Sequence, residues 1–155
     1  MFHIVLVEPE IPANTGNISR TCAITGAALH LIKPLGFSID DKHLKRAGLD
    51  YWHLLDLHIY ENLDEFLAQH GDKRLFLATT KSAKHYDEVQ FQDGDFIVFG
   101  KETAGLPQRM HDLYPDTRVK IPMLDIEAAR SLNLSNSAAI ILYEALRQVG
   151  FLNLK

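Results

Sequence analysis

Ile4–Val7, Leu75–Ala78 and Phe96–Phe99 are short, nearly unbroken apolar strings, and they constrain the fold more than any other feature of the chain. A strand with one wet face alternates apolar and polar residues, whereas a strand covered on both faces does not. The full strand set reads His3–Glu8, Ala28–Lys33, Leu57–Tyr60, Arg74–Thr79, Asp95–Phe99 and Arg118–Ile121. Helical periodicity falls between them, at Thr15–Thr25, Lys42–Arg46, Leu63–Gln69, Arg109–Leu113 and Ser137–Val149. This rhythm implies an α/β fold with a mostly parallel sheet flanked by helices. No repeat, low-complexity tract or long linker divides the 155 residues, so a single domain over 1–155 is expected. A domain of that size builds a core without metal or disulfide staples.

Composition then excludes several function classes. No apolar run approaches the length that spans a bilayer, and Met1–Val7 lacks the layout of an export signal, so no membrane partner and a cytoplasmic location are expected. Cys22, the single cysteine, forms no internal disulfide and builds no thiolate zinc site. The eight histidines make no His-x3-His or His-Glu-x-x-His spacing, so no metal is expected. Net charge is −4, which argues against a polyanion binder held by global charge but leaves room for a local basic patch. Lys42, His43, Lys45 and Arg46 form one such cluster, readable equally as a solvated helix face or a nucleic-acid contact.

Three segments carry more Gly, Asn and Ser than a plain core needs. In Asn14–Arg20, Asn14 reads as an N-cap, with Arg20 placing its fork of donors near the helix mouth. In Phe99–Pro107 a strand opens into a glycine-bounded loop. Its glycine spacing fails both the phosphate-loop and the dinucleotide templates. Gly100 there suits close approach of a ligand to the backbone, and Glu102 offers a negative charge. In Arg130–Ser137, Ser and Asn alternate with leucine; a cap needs one or two of them, and a loop turning amides and hydroxyls toward a ligand accounts better for all five.

Taken in order, these segments resemble the motifs of the SPOUT superfamily of RNA methyltransferases. The resemblance rests on Val5–Arg20, on Phe99-Gly100 with Glu102-Thr103 and Gly105–Pro107, and on Ile121–Met123 with Ser131–Asn136. Leu35–Phe37 and Arg46–Tyr51 narrow it to the small, extension-free branch that 2′-O-methylates the wobble nucleotide, C or U, of certain leucine tRNAs. Lys101, Val7 and Asp125–Ala129 depart from the usual pattern.

The resemblance implies a C-terminal deep trefoil knot, a homodimer, a tRNA substrate and S-adenosylmethionine as cofactor. It places the cofactor against Ala78, Gly100, Glu102, Ile121, Ser131 and Leu132, with Leu134 nearby. It gives Arg20 and Asn133 catalytic roles and puts Tyr143 near the tRNA, while Lys42, Lys45, Arg46, Arg130 and Arg147 would supply basic contacts. An arginine is a poor base, so Arg20 is expected to act as an electrostatic clamp on the developing alkoxide and its phosphate. The alternatives are a knotted RNA-binding module without chemistry, or a methyltransferase for another tRNA or rRNA ribose.

Overall fold

The computed structural model describes residues 1–42, 44, 46 and 49–155. Six strands, β1 (His3–Val7), β2 (Ala28–Ile32), β3 (Asp56–Tyr60), β4 (Leu75–Ala78), β5 (Phe96–Phe99) and β6 (Arg118–Val119), form one sheet in the order β3-β2-β1-β5-β4-β6. Every pairing is parallel. The first strand is the pivot: His3 stands opposite Ala28 on one side and Phe96 on the other. Each strand matches its expected position to within two residues at either end.

Helices α1 (Pro12–Thr25), α2 (Leu63–His70), α3 (Gln108–Leu113) and α4 (Leu134–Gln148) are described against the sheet, with a 3₁₀ helix at Leu49–Leu54. Strand alternation sorts the core into two layers. Ile4, Leu6, Leu29, Leu31, Ile97 and Phe99 face Ile18 and Cys22 of α1 and Ala138, Ile141 and Leu142 of α4. Val5, Val7, Leu75, Leu77 and Val98 face Phe66 of α2 and Met110 of α3. The helix expected at Lys42–Arg46 falls partly outside the described residues; Lys42 and Arg46 are exposed, and Leu44 is buried.

Two helix starts differ from expectation. Asn14 is not the cap of α1: Pro12 opens that helix behind Ile11, which donates no capping side chain, and Asn14 lies buried in the first turn. Proline's fixed φ suits this first position and its missing N–H costs the helix nothing there. The last helix begins at Leu134 rather than Ser137, because the Asn133 side chain accepts from the amides of Ser135 and Asn136. The asparagine and serine richness of that segment is therefore partly a cap, the commoner use.

Candidate active site

The loops that follow β4, β5 and β6 leave the sheet at the same end, where open parallel sheets hold ligands. Together with the segment entering α4, they enclose a cavity of about 540 Å³. Ala78, Gly100, Glu102, Ile121, Ser131 and Leu132 all line it, as do Asn133 and Leu134. Arg20, Lys42, Arg46 and Tyr143 do not; Arg20 and Tyr143 are exposed, on α1 and α4 respectively.

Hydrogen bonds tie the three motif segments into one network. The Glu102 carboxylate accepts from the Glu10 amide at 2.9 Å, the Ile11 amide at 2.7 Å and Asn14 Nδ2 at 3.2 Å. These amides lead into α1, so Glu102 braces the entry to the helix from a distant loop, and its charge suits the positive end of the helix dipole. Glu10 reciprocates, accepting from the Thr103 amide at 3.0 Å and the Thr103 hydroxyl at 2.7 Å. Those two bonds, the hydroxyl's first, hold the Glu10 carboxyl below its ordinary pKa, and Lys101 adds to the effect. Asn14 Oδ1 then accepts from Asn133 Nδ2 at 3.0 Å, which carries the network across to the start of α4.

Glu102 thus lines the cavity while its carboxylate is spent on the protein. Asn133 is likewise engaged: its Oδ1 caps α4 and its Nδ2 reaches Asn14, so its clearest task is to fix the loop that bears Ser131 and Leu132. Gly100 is also required by the loop itself. A Cβ there would stand 2.0 Å from the Gly105 carbonyl carbon and 2.2 Å from the Leu106 nitrogen. The close approach at Gly100 is made by the loop's own far side, pinned by Gly105 N–H donating to Lys101 O at 2.9 Å.

The lining has the mixed character of a nucleoside-sized site. Leu106, Val119, Ile121, Leu132 and Ile141 supply apolar wall, and Lys81, Lys101 and Arg130 supply positive charge. The amides of Ile121 and Leu132 have no protein partner among the described residues. His111 lines the cavity at 5% exposure with Nδ1 unpartnered. Burial first, then Lys81 and Arg118, lowers its pKa and keeps the ring neutral. Such a donor set fits an adenosyl group carrying an amino-acid tail. Sequence reasoning passed over His111 because histidines were weighed for metal spacing. It missed the Glu10–Thr103 pair because the two are 93 residues apart; an acidic residue between two prolines at a helix start was the one local signal.

A sheet with every pairing parallel, closed at one end by three interlocked motif loops around a nucleoside-sized cavity, defines a class, and the chain belongs to it: it is a member of the SpoU rRNA Methylase family, which matches residues 1–143. Among its relatives, it is 53% identical over 152 residues to the tRNA (cytidine(34)-2'-O)-methyltransferase of Methylovorus glucosotrophus (strain SIP3-4), covering 97% of each chain. A solved structure described as "Structural insights into the 2-OH methylation of C/U34 on tRNA" is 42% identical, with a TM-score of 0.89 over 96% of each chain. The SpoU methyltransferase AviRb of Streptomyces viridochromogenes, in complex with AdoMet, is 26% identical with a TM-score of 0.83, over 95% of this chain and 60% of that one.

Proposed function

We propose that the protein transfers a methyl group from S-adenosylmethionine to the ribose 2′-hydroxyl of nucleotide 34 of tRNA, with leucine tRNAs as its substrates. The chain is an S-adenosylmethionine-dependent RNA ribose methyltransferase; the proposal adds the nucleotide and the tRNA. The observation that carries it is the joining of all three motif segments around one cavity by the Asn133–Asn14–Glu102–Glu10–Thr103 network. Relatives named for cytidine 34 of tRNA, at about half identity over nearly the whole chain, support the choice of nucleotide.

Ala78, Gly100, Ile121, Ser131 and Leu132 would hold the cofactor, the apolar wall receiving the adenine and the amides of Ile121 and Leu132 its polar edge. The bound sulfonium supplies an activated methyl, so the protein's work is alignment for in-line transfer and stabilisation of the oxygen that attacks. Arg20 performs the second task as a permanent cation, neutralising negative charge that develops on the ribose oxygen as its proton passes to solvent.

Arg20 stands outside the lining of its own chain's cavity, and this supports a homodimer in which one protomer presents Arg20 to the cavity of its partner. Exposed Ile24, Ile140 and Tyr143 on α1 and α4 offer apolar surface for that contact. The C-terminal segments that wrap the cavity are the part we assign to a deep trefoil knot. Lys42, Arg46, Arg130 and Tyr143 would extend the RNA contact, with Lys45 beside them in sequence but outside the described residues; Arg147 enters it already paired with Glu144. No described helix is long and apolar enough to cross a membrane; tRNA as the proposed substrate supports a cytoplasmic location.

The test is methyl transfer from labelled S-adenosylmethionine to total tRNA, followed by mapping of the modified nucleotide. Label on the ribose of nucleotide 34 is expected. Label at another ribose would redirect the proposal to that site, and cofactor binding without transfer would leave an RNA-binding module.

A further inference from the structure

We infer that Tyr51 is the residue that positions the Arg20 guanidinium, an inference that rests on the role given to Arg20 above. Arg20 is exposed on α1, and an unrestrained arginine on a helix surface samples many rotamers. Tyr51, on the 3₁₀ helix packed beside α1, restrains it in two ways. Arg20 Nη2 donates to the Tyr51 hydroxyl at 3.1 Å, and Arg20 Cζ stands over the phenol ring, 4.6 Å from its centroid.

The choice of partner is what gives this contact chemical meaning. Arg74, Arg109 and Arg147 are each held by a carboxylate, from Asp95, Asp64 and Glu144. No carboxylate among the described residues pairs with Arg20. A carboxylate would fix the guanidinium but neutralise it, and its bidentate grip would occupy two of the five N–H donors. A phenol fixes the plane with one hydrogen bond and a ring face, neither of which carries a formal charge. The remaining donors and the full positive charge of this exposed side chain stay available to a ribose oxygen and its phosphate. Tyr51 therefore acts through Arg20 as a positioning residue, and Arg20→Lys fails to replace it because an ammonium lacks the planar fork that the ring aligns.

The experiment compares Tyr51→Phe and Tyr51→Ala, each alone and combined with Arg20→Lys, using tRNA and labelled S-adenosylmethionine. Turnover, KM for tRNA and affinity for S-adenosylhomocysteine are read together. Tyr51→Phe keeps the ring and loses the hydrogen bond, and is expected to lower kcat about five- to tenfold. Its KM and S-adenosylhomocysteine affinity should stay within about twofold, which a purely structural loss would not leave untouched. Tyr51→Ala should lower kcat further, by about 50-fold in all, as the ring contact is also lost. In the Arg20→Lys background each Tyr51 change should add less than about twofold, because the partner it positions is gone.

Wild-type turnover in Tyr51→Phe and Tyr51→Ala, or full additivity with Arg20→Lys, overturns the positioning role while leaving Arg20 in place. Wild-type turnover in Arg20→Ala overturns the role of Arg20 itself. If Tyr51→Ala does not fold, Tyr51→Phe still decides the matter, since it retains the ring and its packing.

Discussion

Helix α1 starts without a capping side chain of its own, and Glu102, 92 residues beyond Glu10, accepts from the Glu10 and Ile11 amides that lead into it. Removing it strands the amides of Glu10 and Ile11 and leaves Asn14 Nδ2 without its acceptor. Glu102→Ala is expected to cost about 1–2 kcal/mol in urea unfolding, the range of a lost helix cap. Glu102→Gln retains one carbonyl acceptor and should cost less. Both should weaken S-adenosylhomocysteine binding, because the same loop lines the cavity. Gly100 is less forgiving. A methyl placed 2.0 Å from the Gly105 carbonyl carbon must move backbone, so Gly100→Ala should lose about 1–3 kcal/mol or more of stability together with cofactor affinity by calorimetry. Both residues stand out in the sequence, the glycine for close approach and the carboxylate for its charge, but their partners inside the protein do not. Nothing local tells a reader which distant segment a side chain will meet.

At the scale of elements the reading was good where periodicity speaks and poor where a cap decides. Unbroken strings such as Ile4–Val7 and Phe96–Phe99 can only be doubly covered strands, and both are. The start of α1 lies three residues before the expected Thr15, because Asn14 looks like a cap whereas Pro12 opens the helix behind Ile11. The start of α4 was set three residues late because its own leading turn was credited to a ligand loop. The residues that line the cavity are legible because they come as motifs on loops; the bonds joining those loops are not. Asn133→Ala tests the element: it should cost about 1 kcal/mol through the lost cap and more if the Asn14 side chain is left unpaired. Asn133→Asp should recover the cap alone. Comparing their thermal midpoints separates the two contributions.

For the whole molecule, acidity and salt are the informative variables. On one face of the sheet His3 Nδ1 and His30 Nε2 share a hydrogen bond at 2.9 Å, and His30 Nδ1 reaches the Tyr60 hydroxyl at 2.8 Å. Burial first, then neighbouring positive groups, lowers His3 to about 4 and His30 to about 3. The unfolded chain takes up these protons near pH 6.5 and the folded one only well below, so stability is fully present above about 6.5 and is lost as pH falls toward 3. Urea midpoints at pH 7.5 and pH 5 should show the loss, and His3→Gln should reduce it. The tRNA affinity should fall steeply with salt despite the net charge of −4, since the proposed contact rests on local cations; a flat salt titration would count against them.

The place of β1 has one more consequence. It lies between β2 and β5, yet its partner Phe96 follows His3 by 93 positions. At ribosomal speeds of about 5–20 residues per second, one rim of this largely apolar strand stays bare for roughly 5–20 s during synthesis. For that interval the nascent protein carries an open, sticky template for stray strands, long before the loops that enclose its cavity exist.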